Sequence, residues 1–228
     1  MENMYELLIG LPLFSGASYE RILEVVGSTK FHFLKYNAGE AFIRPGEPCT
    51  HLKFVISGSA RLSIANSDSR FVVSQTLKAP NVIAPDFIFG RTTLYPCSAT
   101  ALTQTGILQI SKAEYLKILN SDPIFLFNFL NSLSMNAQKA VEGVLSLTTG
   151  SLEERIAFWV IALTQRGGED IVMSCRQRDL YSVFGVQRSS FMATLDEMKE
   201  KGLIDYSSNE IRFLDRKALI DVLFAHIE

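Results

Sequence analysis

Seven apolar or small residues, Phe127, Leu130, Ser134, Ala137, Val141, Val144 and Thr148, recur at strict 3-4-3-4 spacing. That spacing keeps one stripe on one face of an α-helix for three heptads, the pattern of a coiled-coil seam. Pro123, behind Ser121-Asp122, opens the helix where a missing N–H does no harm. Leu126, Phe129 and Leu133 form a second stripe beside the first. A helix with two stripes can pack on its own domain and on a twin helix together. The alternative is a helix docked only on its own core, and Ser134 and Thr148 weaken the seam.

Before this helix the period is that of strands. Lys30–Tyr36, Glu40–Ile43, Leu52–Ser57, Ala60–Ile64, Phe71–Leu77, Phe87–Phe89, Ser98–Leu102 and Ile107–Ile110 are separated by Gly, Pro, Asn and Ser breaks. Short strands at even spacing predict an antiparallel sandwich or barrel. Ser18 can cap a helix over Tyr19–Val26, ended by Gly27. Ser111-Lys112-Ala113-Glu114 is a capping box for a short helix to about Leu119.

After it, the break at Thr148-Thr149-Gly150 marks a domain boundary. Ser151-Leu152-Glu153-Glu154 is a second capping box, opening a helix through Leu163 that Arg166-Gly167-Gly168 ends. Ile171–Met173 reads as a strand, and Ser174 as a cap for a helix over Arg178–Phe184 stopped by Gly185. A helix over Arg188–Lys201 stops at Gly202. Leu203–Tyr206 and Glu210–Leu214 flank the hairpin signal Ser207-Ser208-Asn209. Lys217–Ala225 forms a last helix.

Composition narrows the function classes. The 228 residues, 47% hydrophobic and 20% charged, suffice for one large domain or two ordinary ones and exclude wholesale disorder. A formal net charge of −2 excludes a histone-like polycation but not a local basic surface. Cys49, Cys97 and Cys175 form no C-x-x-C, so a disulfide scaffold and a four-cysteine metal site are not expected; a reducing, cytoplasmic setting suits them. No basic stretch precedes an apolar one at the start, so no secretory signal is expected. Ile124–Leu133 is too short and too polar to span a membrane.

Helix, turn at Gly185, helix, then hairpin is the plan of a winged helix-turn-helix. The first helix needs Leu180, Val183 and Phe184 against the core. The second buries Val186, Ser190/Phe191, Thr194/Leu195 and Met198, and offers Gln187, Arg188, Ser189 and Met192 to a major groove. Arg188 can grip a guanine edge with two hydrogen bonds, and Ser189 can reach a base or a phosphate. Arg176, Arg178 and Ser190 complete the expected DNA-contacting set. Residues 149–228 hold 10 basic against 13 acidic side chains, yet 174–192 carry Arg176, Arg178 and Arg188 against Asp179 alone. The local balance governs binding, because distant charges are screened beyond about 8–10 Å. The alternative for such a domain is a protein-docking module.

Three stretches of the first half stand out beside the helix-turn-helix: Leu11-Pro12-Leu13-Phe14-Ser15-Gly16, Ala38-Gly39-Glu40-Ala41-Phe42-Ile43-Arg44-Pro45-Gly46-Glu47 and Phe54-Val55-Ile56-Ser57-Gly58-Ser59-Ala60-Arg61-Leu62. Gln177-Arg178-Asp179-Leu180, Gly185-Val186-Gln187-Arg188-Ser189-Ser190, Leu195 and Gly202-Leu203-Ile204 add the helix-turn-helix. By these residues, in this order and spacing, the chain resembles the CRP/FNR family of transcription regulators over almost its full length. The resemblance implies an α+β chain: a cyclic-nucleotide-binding-like β-roll (jelly roll) sensor over 1–120, a dimerisation helix over 121–148 and a winged helix-turn-helix DNA-binding domain over 149–228. It implies a homodimer on a near-palindromic site in double-stranded promoter DNA, with RNA polymerase as a further partner if the protein is an activator.

In cyclic-nucleotide-binding relatives a cassette of the form G-E-x-A-L…R-S-A holds the ligand: Glu takes the ribose hydroxyl and Arg the cyclic phosphate. Here Phe89, Gly90, Arg91, Thr92, Cys97, Ser98 and Ala99 occupy the matching stretch, with Arg91 for the Glu and Cys97 for the Arg. Losing the charge-assisted phosphate contact costs about 1.5–3 kcal/mol, so cyclic AMP is not the expected effector. An iron–sulfur cluster needs grouped N-terminal cysteines, which are missing. Haem, for gas or redox sensing, stays open with His32, His51, Met135 or a Cys as axial ligand; thiol sensing through Cys97 or Cys175 is a further alternative. The preferred expectation is a small molecule between roll and long helix, with Asn128, Asn131, Ser132 and Ser134 supplying polar contacts. Two other classes compete: an enzyme, for which no G-x-S-x-G, H-E-x-x-H or P-loop is present, and a module controlling another protein.

Overall fold

The structure is a computed structural model that describes residues 2–148 and 150–224. The change of period at the long helix is reproduced in the backbone. Helices α1 (Glu2–Ile9) and α2 (Tyr19–Ser28) flank a 3-10 turn at Pro12–Phe14. Strands β1 (Phe31–Tyr36), β2 (Ala41–Ile43), β3 (His51–Ser57), β4 (Ser59–Ala65), β5 (Val72–Lys78), β6 (Asn81–Ile83), β7 (Ser98–Ala101) and β8 (Thr105–Ser111) follow. Then come α3 (Lys112–Ser121) and α4 (Pro123–Leu145). The remainder is α5 (Leu152–Leu163), β9 (Gly168–Ser174), α6 (Gln177–Val183), α7 (Arg188–Glu200), β10 (Ile204–Tyr206), β11 (Glu210–Phe213) and α8 (Arg216–Phe224). The expected end of the last helix at Ala225 lies outside the described residues.

Two compact units result. The first comprises residues 1–61 and 77–136, the second 62–76 and 137–228. The division falls inside α4 rather than after Thr148, and it assigns the outer half of the β4–β5 hairpin to the second unit. In the first unit one sheet runs β1-β8-β3-β6, all antiparallel, and β2 pairs β7. Leu52, Phe54, Leu108 and Ile110 are buried on that sheet, and Phe14 bridges Phe54 and Phe125 with ring centroids 6.4 and 5.7 Å apart. Gly58, in the tight β3–β4 turn at φ +74°, admits no side chain: a Cβ there would stand 2.3 Å from the carbonyl oxygen of Gln104.

The second unit encloses Ile156, Val160, Ile171, Met173, Leu180, Phe191, Leu195, Met198, Ile211 and Phe213. Its sheet runs β10-β11-β9-β5, so the hairpin supplies the fourth strand. Two positions show how local sequence sets these elements. Ser151 and Glu154 form both bonds of the capping box that starts α5, an arrangement worth about 1 kcal/mol. Gly143 lets α4 and α5 touch, since a Cβ there would come 2.2 Å from that of Ala162.

Some expectations are corrected. Residues 87–89 are not a strand: a 3-10 turn occupies Pro85–Phe87, and the sixth strand lies at 81–83. Gly27 does not end α2, which continues to Ser28 with Thr29 as its C-cap. Ser111 caps α3, but Glu114 does not close the box; its carboxylate accepts from the Lys30 backbone and pairs with Lys117. Ser174 ends β9 instead of capping α6, whose N-cap is Arg176 without a side-chain cap.

Candidate nucleic-acid interface and effector pocket

The helix-turn-helix is built on an aromatic spine. Leu180 and Phe184 of the first helix and its C-cap are buried, whereas Val183, expected on the same face, is 50% exposed. The Trp159 ring on α5 stands 5.4 Å from Phe184, and Phe184 stacks on Phe191 of α7 at 6.4 Å. Gly185 turns the chain at φ +64°, with free space about it. Its glycine is therefore required by the backbone rather than by crowding. The Arg155 guanidinium donates to the carbonyls of Leu147 and Phe184 and lies 5.6 Å from the Phe184 ring centroid. A cation on these chain ends ties the close of the long helix to the turn. Sequence reasoning missed Arg155; its only signal was a lone basic side chain behind the acidic first turn of a helix that is apolar from there on.

That scaffold presents the start of α7. Gln187 is its N-cap with no side-chain capping bond, and Gln187, Arg188, Ser189 and Ser190 are exposed. Met192, expected outward, is half-buried against the core, so the presented set is Gln187 to Ser190. Ser190, which the periodicity also offered to the core, faces solvent. Arg178 is exposed. Arg176 is held by Asp179 through bonds of 2.9 and 3.1 Å, which draws the Asp179 carboxyl below its ordinary range. The wing is fixed to α6 where Gln177 donates to the Ser207 carbonyl at 3.0 Å.

The stretch expected as the ligand cassette carries Arg91 and Cys97 where the resemblance implies a Glu and an Arg. Gly90 holds φ +98°; Arg91 and Thr92 are exposed, Ser98 is half-buried, and Cys97 and Ala99 are buried. Burial pushes the Cys97 thiol up to about 11, leaving no charge there at neutral pH. Phe89 packs with Tyr115 of α3 and Phe129 of α4 at centroid distances of 6.2 and 5.5 Å, and Lys112 sits 5.0 Å over its ring. The Tyr115 hydroxyl is buried among the described residues without a hydrogen-bond partner, and desolvation raises its pKa. Asn128, expected in the pocket, donates to the carbonyls of Leu13 and Ser15 at 3.3 and 2.7 Å, and Asn131 is exposed. Asn136 of α4 donates to both Asp86 carboxylate oxygens at 2.9 Å, in the 3-10 turn that precedes Phe89 in the chain.

Of the haem-ligand candidates, His32 and Met135 are exposed and His51 half-buried. The two histidine rings meet edge to face at 6.4 Å. All three cysteines are buried. No group of three or more His, Cys, Asp or Glu among the described residues could hold a metal ion, and no helix among them is long and apolar enough to cross a membrane. Along α4 the seam faces outward: Phe127 is 61%, Leu130 51%, Val141 59% and Val144 68% exposed, with Ser134 and Ala137 exposed between them.

A β-roll carrying a ligand cassette, followed by a long helix and a winged helix-turn-helix, defines the class of sensor-bearing DNA-binding transcription regulators. Comparisons with known proteins agree. Residues 33–122 match the cyclic nucleotide-binding domain, and residues 154–222 match the Crp-like helix-turn-helix domain. The chain is similar in fold to the catabolite activator protein of Thermus thermophilus, at 20% identity and TM-score 0.51 over 94% of this chain and 99% of that one. It is similar to the sensor domain of the transcriptional regulator DNR from Pseudomonas aeruginosa, at 21% and 0.51 over 60% and 89%. A transcriptional regulator of Thermotoga maritima gives 22% and 0.50 over 57% and 98%. Comparison with curated proteins finds no match. With both domains present in this order, the chain belongs to the CRP/FNR family of transcription regulators, a family of regulators rather than enzymes.

Proposed function

We propose that the protein works as an effector-controlled homodimer that binds sequence-specifically to promoter DNA, and that its effector is not cyclic AMP. The observation that carries the DNA reading is the exposed run Gln187-Arg188-Ser189-Ser190 on a helix whose opposite face is fixed by buried Phe191, Leu195 and Met198. Such a helix offers a major groove one bidentate donor and two hydroxyls. Four large apolar side chains along one helix face, each at least half exposed, support self-association through α4. The twin α7 helices then meet successive grooves about one turn apart.

The effector reading rests on the cassette. Cyclic AMP requires a cation for its phosphate and a carboxylate for its ribose, and this chain presents a neutral buried thiol and an exposed arginine. The orphaned Tyr115 hydroxyl, among Phe89 and Phe129, supports a small molecule with a ring face and a hydrogen-bonding edge. Such an effector acts by shifting the population of winged-helix orientations. RNA polymerase is the further partner if the outcome is activation, and the cytoplasm is the setting. A gel shift with promoter fragments, followed by a randomised-site selection, tests the reading: a retarded complex with a two-fold symmetric consensus is expected, and binding without sequence preference would overturn it.

A further inference from the structure

The turn of the β4–β5 hairpin, Asn66 to Phe71, has no role in the reading above. Yet it is part of the DNA-reading unit. Phe71 packs on Trp159 at 4.9 Å, Val73 is 3% exposed within the unit's core, and the Gln75 side chain accepts from the Gln165 backbone N–H at 2.8 Å. Ser74 donates to the Val172 carbonyl at 3.5 Å. These anchors fix which end of the sheet the turn occupies. β9 ends at Ser174, which faces Glu210 at the start of β11, so the β10–β11 wing turn lies at that end. The Cys175 N–H donates to the Asn209 carbonyl, and Gln177 at the start of α6 reaches Ser207. β5 lies on the other side of β9 from the wing. The hairpin turn joins the same end, with Asp68 in electrostatic reach of Arg176 and Arg70 in reach of Asp179.

Three features thus share one edge: the wing turn, the start of α6 and the hairpin turn. We propose that the β4–β5 turn is a second wing, and that Arg70 binds a phosphate of the duplex beside the helix-turn-helix. This rests on the DNA-binding reading above. The chemistry is complementary. Arg70 is 66% exposed in its side chain and held by Asp68 at 3.0 Å; Arg176 is held likewise by Asp179. Each arginine carries a carboxylate that a phosphate can displace, so the two pairs hold the basic edge muted until DNA arrives. Ser67 and Ser69 in the same turn offer hydroxyl donors, and Ser69 adopts φ +54°.

The test is DNA binding by the full chain across a salt series, using a site selected with the wild-type protein. Arg70→Gln should weaken binding about 3–10-fold for all sequences alike and lower the salt slope by about one for each turn, about two per dimer. Asp68→Asn should strengthen binding by releasing Arg70 and removing a negative charge within electrostatic reach of Arg176, which Asp179 still holds. Unchanged Trp159 emission, the only tryptophan in the chain, confirms that the anchor at Phe71 persists. Arg188→Ala is the control. If it weakens binding and relaxes preference while Arg70→Gln and Asp68→Asn leave affinity and salt slope at wild-type values, the second wing is wrong and the recognition helix stands. If the wild-type protein binds no duplex, the DNA reading falls and takes this inference with it.

Discussion

The reader and the sensor cassette of this chain are both family elements, but they have kept different things. In the reader, backbone and chemistry agree: Gly185 makes the turn, buried rings hold it, and the side chains that can touch bases face solvent. In the stretch expected as the cassette, Gly90 and the Ser98-Ala99 pair stand as the resemblance implies, while Arg91 and Cys97 stand where it implies a Glu and an Arg. Loop geometry depends on glycine and sheet pairing, whereas ligand choice depends on a few side chains, so the two can vary separately within one fold.

Four measurements sharpen or break that comparison. The largest effect concerns the helix that serves both regions. Val141→Glu or Leu130→Glu places like charges at exposed seam positions and should convert the dimer to monomer in analytical sedimentation; a variant that still sediments as a dimer removes α4 from the interface. Arg188→Ala should cost about 1–3 kcal/mol of site affinity, roughly 5- to 150-fold, and relax one base position per half-site. Unchanged preference in a selection would deprive the reader of its assigned helix. Calorimetry with cyclic AMP should show no tight binding, since about 1.5–3 kcal/mol of charge-assisted contact is missing; a tight, stoichiometric isotherm would show that the cassette kept its input after all.

The smallest effect is in pH. Burial raises the Cys97 thiol to about 11 and the Cys175 thiol to about 12, against 9 for the free group. The folded protein retains protons that the unfolded chain loses above pH 9, so the stability present below pH 9 declines as pH rises toward the folded values. At pH 10 the loss is on the order of 1 kcal/mol per thiol. Denaturant midpoints that stay level from pH 8 to 10 would show that these thiols are not protected by the fold.

Much of this was legible in the residues. Period-2 runs with Gly and Pro breaks marked most strands, and Ser151 with Glu154 marked the start of α5 to the residue. The recognition helix followed from Gly185 and the spacing of Phe191, Leu195 and Met198. The errors arose where a residue had more than one possible partner. Glu114 closes no capping box because Lys30 and Lys117 compete for it. Asn128 looked like a pocket donor because it is polar on an apolar helix, yet it ties down the carbonyls of Leu13 and Ser15.

By itself, then, the sequence determined the roll, the seam helix, the winged helix and the altered cassette charges. Each is written in local spacing, in turn glycines or in the identity of a side chain. Only the tertiary structure decided that the β4–β5 hairpin completes the reader's sheet, that Arg155 bridges Leu147 and Phe184, and that Tyr115 is left with an unmet hydroxyl. These depend on residues far apart in the chain meeting in space, and pairings of that kind leave no period for a local pattern to reveal.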